Sequence, residues 1–337
     1  MSGFILRRLA HAVLTVLAAS FLIFAVSEFS PGSVARKMLG PYVEDVQVDI
    51  LSQKLKLDDA LIIRYLRWLG VLTGAIADPL ADPVLNLGLS DPRGSRYFGN
   101  FGYSQLYKAP VNDIIWNRLA NTLLLAGTAF AIILPLSLAF GVLSGMREGS
   151  RLDRSLSVAG IVLTSIPEFA SGVMLTAVFV VGLKWLPGIS PLEARGDWSI
   201  AAQLVLPVAV LVLYDFGYVA RMIRGSMVEV MGRAYVRTAF LKGLTRGQVV
   251  LRHALRNAMI APFTVLLLQL NWLITGVVVT EMVFAYPGFG RMLLEAALFG
   301  DIALVEAAAL TALLLAVVTQ LVGDIGYMLL NPRIRLA

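Results

Sequence analysis

Cysteine is absent from this 337-residue chain, and histidine occurs only as His11 and His253. The first absence excludes a disulfide framework, a thiolate metal centre and a cysteine nucleophile. The second leaves too few ligands for a His-rich metal site. No Gly is followed by Lys, so a Walker-type phosphate loop is excluded; H-E-x-x-H and G-x-S-x-G are missing as well. Charge is also scarce: 15% of residues are charged and 58% are hydrophobic, against about 25% and about 45–50% in soluble domains. A single water-soluble core of this length could not hide that excess. The mean hydropathy of +0.78 agrees. The chain is read as all-α and embedded in a membrane, and no nucleic-acid partner is expected despite a net charge of +6.

About 20 mostly apolar residues span a bilayer as a helix. Six stretches qualify: Leu9–Phe29, Leu119–Leu143, Leu156–Leu183, Ala201–Val219, Ile260–Thr280 and Ile302–Met328. The first is longer than the apolar core of a signal peptide and lacks a cleavage signal, so it is read as a retained span. With the N-terminus in the cytoplasm, the inner segments hold fifteen Lys and Arg and the two short outer loops only Lys184, Arg195 and Arg291. Ten more lie between Ser30 and Arg118, but segments of that length cross regardless of charge. Both termini are therefore placed inside. Three regions follow: 1–29 with the first span, 30–118 outside, and 119–337 as a five-span core containing the cytoplasmic loop 221–259.

In the outer segment, Asp58 is a candidate N-cap for a helix over Ala60–Leu72, and Tyr65 and Trp68 suit a membrane surface. Ala75–Asn100 is rich in Pro, Gly and Asp and reads as loop. No strands of consequence and no internal repeat are evident. The inner stretch Gly232–Pro262 carries the most information. Arg233–Leu241 favours a helix, Gly243 breaks it as a C′ residue does, and Thr245 can cap a second helix through Gln248, Val249, Leu251 and Ala254. A loop serving only topology needs neither helix; a docking surface needs both.

Ionisable and amide groups inside spans are costly, and so are candidates for function. Glu168 follows Pro167, which frees a backbone carbonyl and can kink the third span; a carboxylate there could meet a cationic solute. Gln269 and Asn271 cannot share a face, so one is expected to line a pathway and the other to bond a neighbouring helix. Asp215 is expected to pair with Arg221, Glu306 to reach the outer interface, and Asp324 to be structural. Tyr286 to Gly290 reads as a turn before a short helix, Arg291–Phe299, with Leu293, Leu294 and Leu298 on one side.

AYVRTAFLKGL at Ala234–Leu244 and RHALRNAMIAP at Arg252–Pro262 resemble the EAA-type loop of ABC importer permeases, in the version of the dipeptide/oligopeptide/nickel family. The resemblance extends along the chain. It takes in ILRRL at Ile5–Leu9, Pro31-Gly32, Gly102-Tyr103-Ser104, RLANTL at Arg118–Leu123, Ser165-Ile166-Pro167, EMVFAYPGFGR at Glu281–Arg291 and NPRIR at Asn331–Arg335. Ala75–Asn100 looks like an insertion into that pattern, and Asn331 stands where Asp is usual.

The resemblance implies a type I permease of the first kind, multi-pass in the bacterial inner membrane and importing peptides or similar small polar solutes. It implies no bond-making chemistry and no cofactor on this chain, with ATP and Mg held by partner ATPases. The implied partners are a second homologous permease, two cytoplasmic ATPase subunits, a periplasmic substrate-binding protein and the lipid bilayer. ATPase coupling falls to Ala234, Tyr235, Arg237, Thr238, Ala239, Phe240, Lys242, Gly243 and Leu244. A periplasmic gate falls to Tyr286, Pro287, Gly288 and Phe289, with the solute path at Glu168, Gln269 and Asn271. Two other classes stand beside this reading. One is an ion-coupled secondary transporter, for which paired repeats would be expected; the other is a membrane scaffold or receptor, which leaves the polar span positions unexplained.

Overall fold

The computed structural model describes residues 2–29, 35–36, 42–79, 96–192, 198–275 and 277–330, with side chains for those from residue 7 to residue 326. Pro31-Gly32, residues 80–95 of the insertion, Arg195 and Asn331–Arg335 lie outside the described residues. The chain divides into two compact units, one of Met1–Asn121 with Gly288–Val317 and one of Thr122–Pro287 with Val318–Ala337.

Five helical stretches are long and apolar enough to cross a membrane: Arg7–Phe29, Val111–Gly145, Ile200–Met231, Ile260–Val283 and Ile302–Gly326. The sixth expected span is not one helix. Arg151–Ser165 and Glu168–Gly182 meet at 92°, because Ile166 turns extended and Pro167 has no N–H to continue the ladder. It counts as a span only if this broken pair is taken together.

The first unit contains α1 (Ser2–Phe29), α2 (Asp45–Leu55), α3 (Leu61–Leu72) and the hairpin of β1 (Tyr103–Ser104) and β2 (Ala109–Pro110). Tyr103 faces Pro110 and Ser104 faces Ala109 in antiparallel register. This short ladder went unread in the sequence. Asp58 is not the cap of α3: Ala60 holds that position without a side-chain bond, and Asp59 instead pairs with Arg67 at 2.5 Å. Tyr65, read with Trp68 as suited to a membrane surface, turns inward instead. Tyr65 is buried against α1, edge-on to Phe21 at 5.2 Å, and its hydroxyl meets Ser20 Oγ at 2.8 Å. Trp68 stacks on Tyr65 at 6.1 Å. An aromatic stripe is apolar wherever it lies; here the neighbouring helix claimed it.

In the same unit, α13 (Phe289–Phe299) buries Phe289, Met292 and Ala296, while Leu298 is 72% exposed. The buried stripe is thus rotated away from Leu293, Leu294 and Leu298. Asp301 caps α14 (Ile302–Leu330) through Leu304 N at 3.2 Å and holds the hairpin through Ser104 Oγ at 2.6 Å and Leu106 N at 3.1 Å. Beside it, Tyr107 donates to Glu295 at 2.6 Å. Burial, reinforced by that bond, pushes the Tyr107 hydroxyl up to about 12, so it remains a donor throughout the physiological range.

The second unit is organised by α7 (Ile200–Met231). Around it lie α4 (Val111–Gly145, entering from the first unit), α5 (Arg151–Ser165), α6 (Glu168–Thr176, continued by a π-helical turn to Gly182), α11 (Ile260–Thr275) and α12 (Val278–Val283). A continuous apolar cluster includes Leu125, Ile133, Leu211, Ile223, Met227 and Leu273. Where α5 crosses α7, Gly160 and Gly217 bring the two backbones together: a Cβ on Gly217 would stand 2.4 Å from Gly160 O. Close approach of this kind replaces the hydrophobic drive that lipid cannot supply between helices. Gly217→Ala is therefore expected to lower stability by about 1–3 kcal/mol, measured as a fall in the thermal midpoint of the detergent-solubilised chain. An unchanged midpoint would mean that α5 and α7 do not need this contact.

Candidate functional site

The loop leaving α7 begins with α8 (Ala234–Leu241). Val236 and Ala239 turn inward and are buried, joining Val249, Val250, Ala254 and Ala258 in the apolar cluster of the second unit. The other face stands out: Tyr235 is 42% exposed, Phe240 37% and Leu241 80%, with Arg237, Thr238 and Lys242 also exposed. The helix closes in a Schellman motif. Gly243 has φ +80°, its N–H reaches Phe240 O at 2.9 Å, and Leu244 N–H reaches Ala239 O at 3.3 Å. Leu244 folds back onto the apolar cluster.

Thr245 then starts α9 (Arg246–Val249) with a full capping box. Its hydroxyl accepts from Gln248 N at 3.4 Å, and Gln248 Oε1 accepts from Thr245 N at 3.0 Å. The expected second helix continues as a π-helical turn over Val250–Ala254 before α10 (Leu255–Ala258). The extra residue in that turn lets Val249, Val250, Ala254 and Ala258 all face inward, while Leu251 stays 69% exposed. Ser226 Oγ on α7 donates to Ala258 O at 2.5 Å, and Asn257 Nδ2 donates to the Tyr235 hydroxyl at 3.0 Å. The loop is thus pinned at both ends.

A clamp that the sequence reading missed lies at the same end of α7. Asp153 of α5 is 3% exposed and takes both Arg224 nitrogens, Nε at 2.5 Å and Nη2 at 2.7 Å. It also accepts from Gly149 N at 2.9 Å and from Ser144 Oγ. A two-pronged Arg–carboxylate contact fixes angle as well as distance. In the sequence Arg224 looked like one more topology-setting charge; its pairing across 71 positions leaves no local signal.

The candidate path residues do not converge on one point. Glu168 heads α6 and accepts at Oε1 from Thr280 N at 3.0 Å and from the Thr280 hydroxyl. Gln269 donates to Asp215, so the partner of Asp215 is Gln269 rather than Arg221. Arg221 instead reaches Gly217 O at 3.2 Å and Thr164 at 3.4 Å. Of the two amides on α11, Gln269 is therefore the one that bonds a neighbouring helix. Asn271 Oδ1 and Asp215 Oδ2 are buried with no partner among the described residues. Glu306, in the first unit, does not reach an interface: it is 5% exposed, with hydrogen bonds to Ser27 and Trp68.

At the proposed gate, α12 ends in a second Schellman turn. Ala285 has φ +50°, Ala285 N reaches Met282 O at 3.3 Å, and Tyr286 N reaches Glu281 O at 2.8 Å. Tyr286 is fully buried, and burial pushes its hydroxyl well above the usual tyrosine value, with the charge of Glu281 adding to the effect. The division between the two units falls between Pro287 and Gly288. Gly288 caps α13, one residue before the fully buried Phe289. Among the described residues no group of three or more His, Cys, Asp or Glu could hold a metal ion.

Residues 137–336 match the family described as binding-protein-dependent transport system inner membrane component, and residues 1–126 match the N-terminal family of the same membrane components. The oligopeptide transport system permease protein AppB of Bacillus subtilis (strain 168) is 30% identical over 338 residues, 99% of each chain. The glutathione transport system permease protein GsiC of Salmonella paratyphi A (strain ATCC 9150 / SARB42) is 32% identical, again over 99% of each chain. Among solved structures, an amino acid ABC transporter with histidines is 14% identical, with a TM-score of 0.48 over 64% of this chain and 94% of that one. A matched family region that takes in the α8–α10 loop, together with full-length relatives, places the chain among the binding-protein-dependent transport system inner membrane components, as a multi-pass permease subunit of an ABC importer.

Proposed function

We propose that this chain forms half of the translocation pathway of a bacterial inner-membrane peptide importer and passes the motion of cytoplasmic ATPases to its spans through α8. The observation that carries the reading is the loop itself: a short helix capped at Gly243, anchored inward by Val236 and Ala239, and presenting Tyr235, Phe240 and Leu241 outward. A helix transmits force only when both its angle and its root are fixed, and both conditions are met here. An exposed apolar triplet flanked by Arg237 and Lys242 suits a partner groove with an apolar floor and an acidic rim. Peptides are the proposed cargo because full-length relatives carry the names of oligopeptide and glutathione systems. The assembly would be completed by a second permease, two ATPases that hold ATP and Mg, and a periplasmic binding protein. The switch is a two-state one, in which nucleotide binding in the partners shifts the spans between inward- and outward-facing arrangements.

Gly243→Val tests the coupling. A β-branched residue in the left-handed conformation costs about 1–2 kcal/mol, enough to fray the end of α8 while the spans still insert. The expected result is a membrane-inserted chain that copurifies poorly with its ATPase or loses substrate-stimulated ATP hydrolysis. Normal uptake of labelled peptide with full ATPase retention would remove the coupling role. Because Ala239 faces inward, Leu241 is the position from which a crosslink to the ATPase is expected.

Glu168 is assigned to holding α6 against α12, with the solute path passing nearer Asn271. Glu168→Gln keeps an acceptor for Thr280 and should leave assembly and uptake near normal. Glu168→Ala leaves the Thr280 donors unpaired and should lower the thermal midpoint, a loss of about 1–3 kcal/mol. If Glu168→Gln alone abolishes uptake in a stable complex, the carboxylate charge serves the solute instead.

A further inference from the structure

Within the first unit, α1 measures the depth at which α3 is held. The Tyr65 hydroxyl donates to Leu17 O at 3.2 Å and meets Ser20 Oγ at 2.8 Å. Leu17 stands next to the midpoint of the span Arg7–Phe29, twelve residues before its Phe29 end, about 18 Å down the axis at the helical rise. A tyrosine side chain reaches little farther than one helical turn, about 5.4 Å. The α3 backbone at Tyr65 therefore sits more than a full turn of α1 below Phe29. The rings agree: Tyr65 lies 5.2 Å from Phe21, and Trp68 lies 5.8 Å from Phe24.

The side chains around α3 fall into three sectors. Tyr65 and Trp68 turn to α1. Arg64 and Arg67 form a second sector, and each is paired, Arg64 with Glu28 and Arg67 with Asp59 at 2.5 Å. No other charged residue occurs in Leu61–Leu72. The third sector is Ile62, Ile63 and Leu66, each about half exposed. Charge at membrane depth is tolerated when it is paired, and both arginines meet that condition. An apolar sector at that depth meets hydrocarbon at no cost, whereas in water it is an exposed patch. At the same level α1 exposes Leu22, Val26 and Phe29, the surface that a span turns to lipid.

We infer that α3 is a membrane-immersed helix that does not span: it lies in the leaflet at the Phe29 end of α1, with Ile62, Ile63 and Leu66 seated among the acyl chains. The partner of this face is lipid hydrocarbon rather than an anionic head group, because Glu28 and Asp59 already neutralise Arg64 and Arg67. The segment between α1 and α4, read from the sequence as lying outside, is thereby anchored to the membrane by a helix of its own. The inference needs α1 to cross the bilayer, and it needs nothing of the cargo or of the ATPases.

Because the chain has no cysteine, single nitroxide labels can read this depth. The full-length chain in lipid nanodiscs carries the label at Ile62→Cys, Ile63→Cys or Leu66→Cys. Leu22→Cys, Val26→Cys and Phe29→Cys along α1 supply the ruler, and Leu241→Cys supplies the water reference. The readout is collision with dissolved oxygen relative to collision with a water-soluble nickel chelate. The three α3 labels should fall in the range of Leu22 and Val26, above Phe29, and stay there when phosphatidylcholine is replaced by phosphatidylglycerol. Ratios like that at Leu241 would overturn the inference, since α3 would then stand in water. Loss of the oxygen signal on adding the binding protein or the second permease would overturn it too, by giving the face to a protein. A ratio that rises only in the anionic lipid would make head-group charge the anchor and remove the acyl-chain assignment. Leu66→Lys tests the same face without a label: it should lower the thermal midpoint in nanodiscs, and an unchanged midpoint counts against immersion. Circular dichroism checks that every variant keeps its helical content.

Discussion

The contact between α5 and α7 is the constraint on which the second unit depends. Between helices in lipid, apolar side chains gain nothing over apolar tails, so association must come from close packing and satisfied polar groups. This interface uses both. Gly160 and Gly217 let the backbones meet in mid-helix, and toward the C-terminal end of α7 the Arg224 fork grips Asp153. A buried ion pair adds little net stability against an apolar alternative, but losing one partner strands a charge and fixes the cost of any other register. The pair therefore acts mainly as a register pin. Beyond it α7 has two more turns before Met231, and α8 begins three residues later. A displacement imposed on α8 thus meets a helix whose angle to α5 is already set.

Two turns bracket this arrangement, and they share a design with different strain. The loop turn places Gly243 in the left-handed region; the turn after α12 places Ala285 there, at φ +50°. Glycine takes that conformation freely, whereas alanine takes it at about 1–2 kcal/mol. The surroundings of each explain the choice. A Cβ on Gly243 would meet nothing within 4 Å, so no packing could hold a strained residue in place. Ala285 lies between Phe284 and Tyr286, both fully buried, and their packing over-determines the turn. The exposed turn is relaxed by its own chemistry, and the other is held by its buried neighbours.

What the sequence made legible was local. Thr245 and Gln248 lie three residues apart, and Gly243 follows a helix-forming run, so the caps of the loop could be read and were found. Apolar length located the spans for the same reason. What stayed hidden depended on distant partners. Asp215 lies six residues from Arg221 yet bonds to Gln269, 54 positions away. Tyr65 and Trp68 carried an apolar signal that does not say whether lipid or α1 receives it. Pro167 announced a disturbance, but its size, 92°, follows from what α6 packs against: Gly172 sits against Val283 and Phe284, and the Glu168–Thr280 bonds tie down the first turn. Sequence marks where a helix can break; tertiary contacts decide how far it turns.

The polar groups of the second unit divide according to whether the described residues satisfy them. Glu168 with Thr280, Asp153 with Arg224, and Thr122 with Glu281 at 2.6 Å are closed pairs, and they account for the coherence of the unit without any partner. Asn271 Oδ1 and Asp215 Oδ2 are different, since each is a buried acceptor with no donor among the described residues. Leaving such an atom dry costs about 1–3 kcal/mol, a loss that close packing does not restore. Both belong to α7 and α11, whose side chains join where Gln269 meets Asp215. In a subunit proposed to be half of a pathway, that pair of helices is where donors must come from beyond the described residues, and water, a second permease or the N–H groups of a passing peptide could each supply them. Closed pairs hold the unit together, and the open acceptors are the positions that the proposed pathway would have to complete.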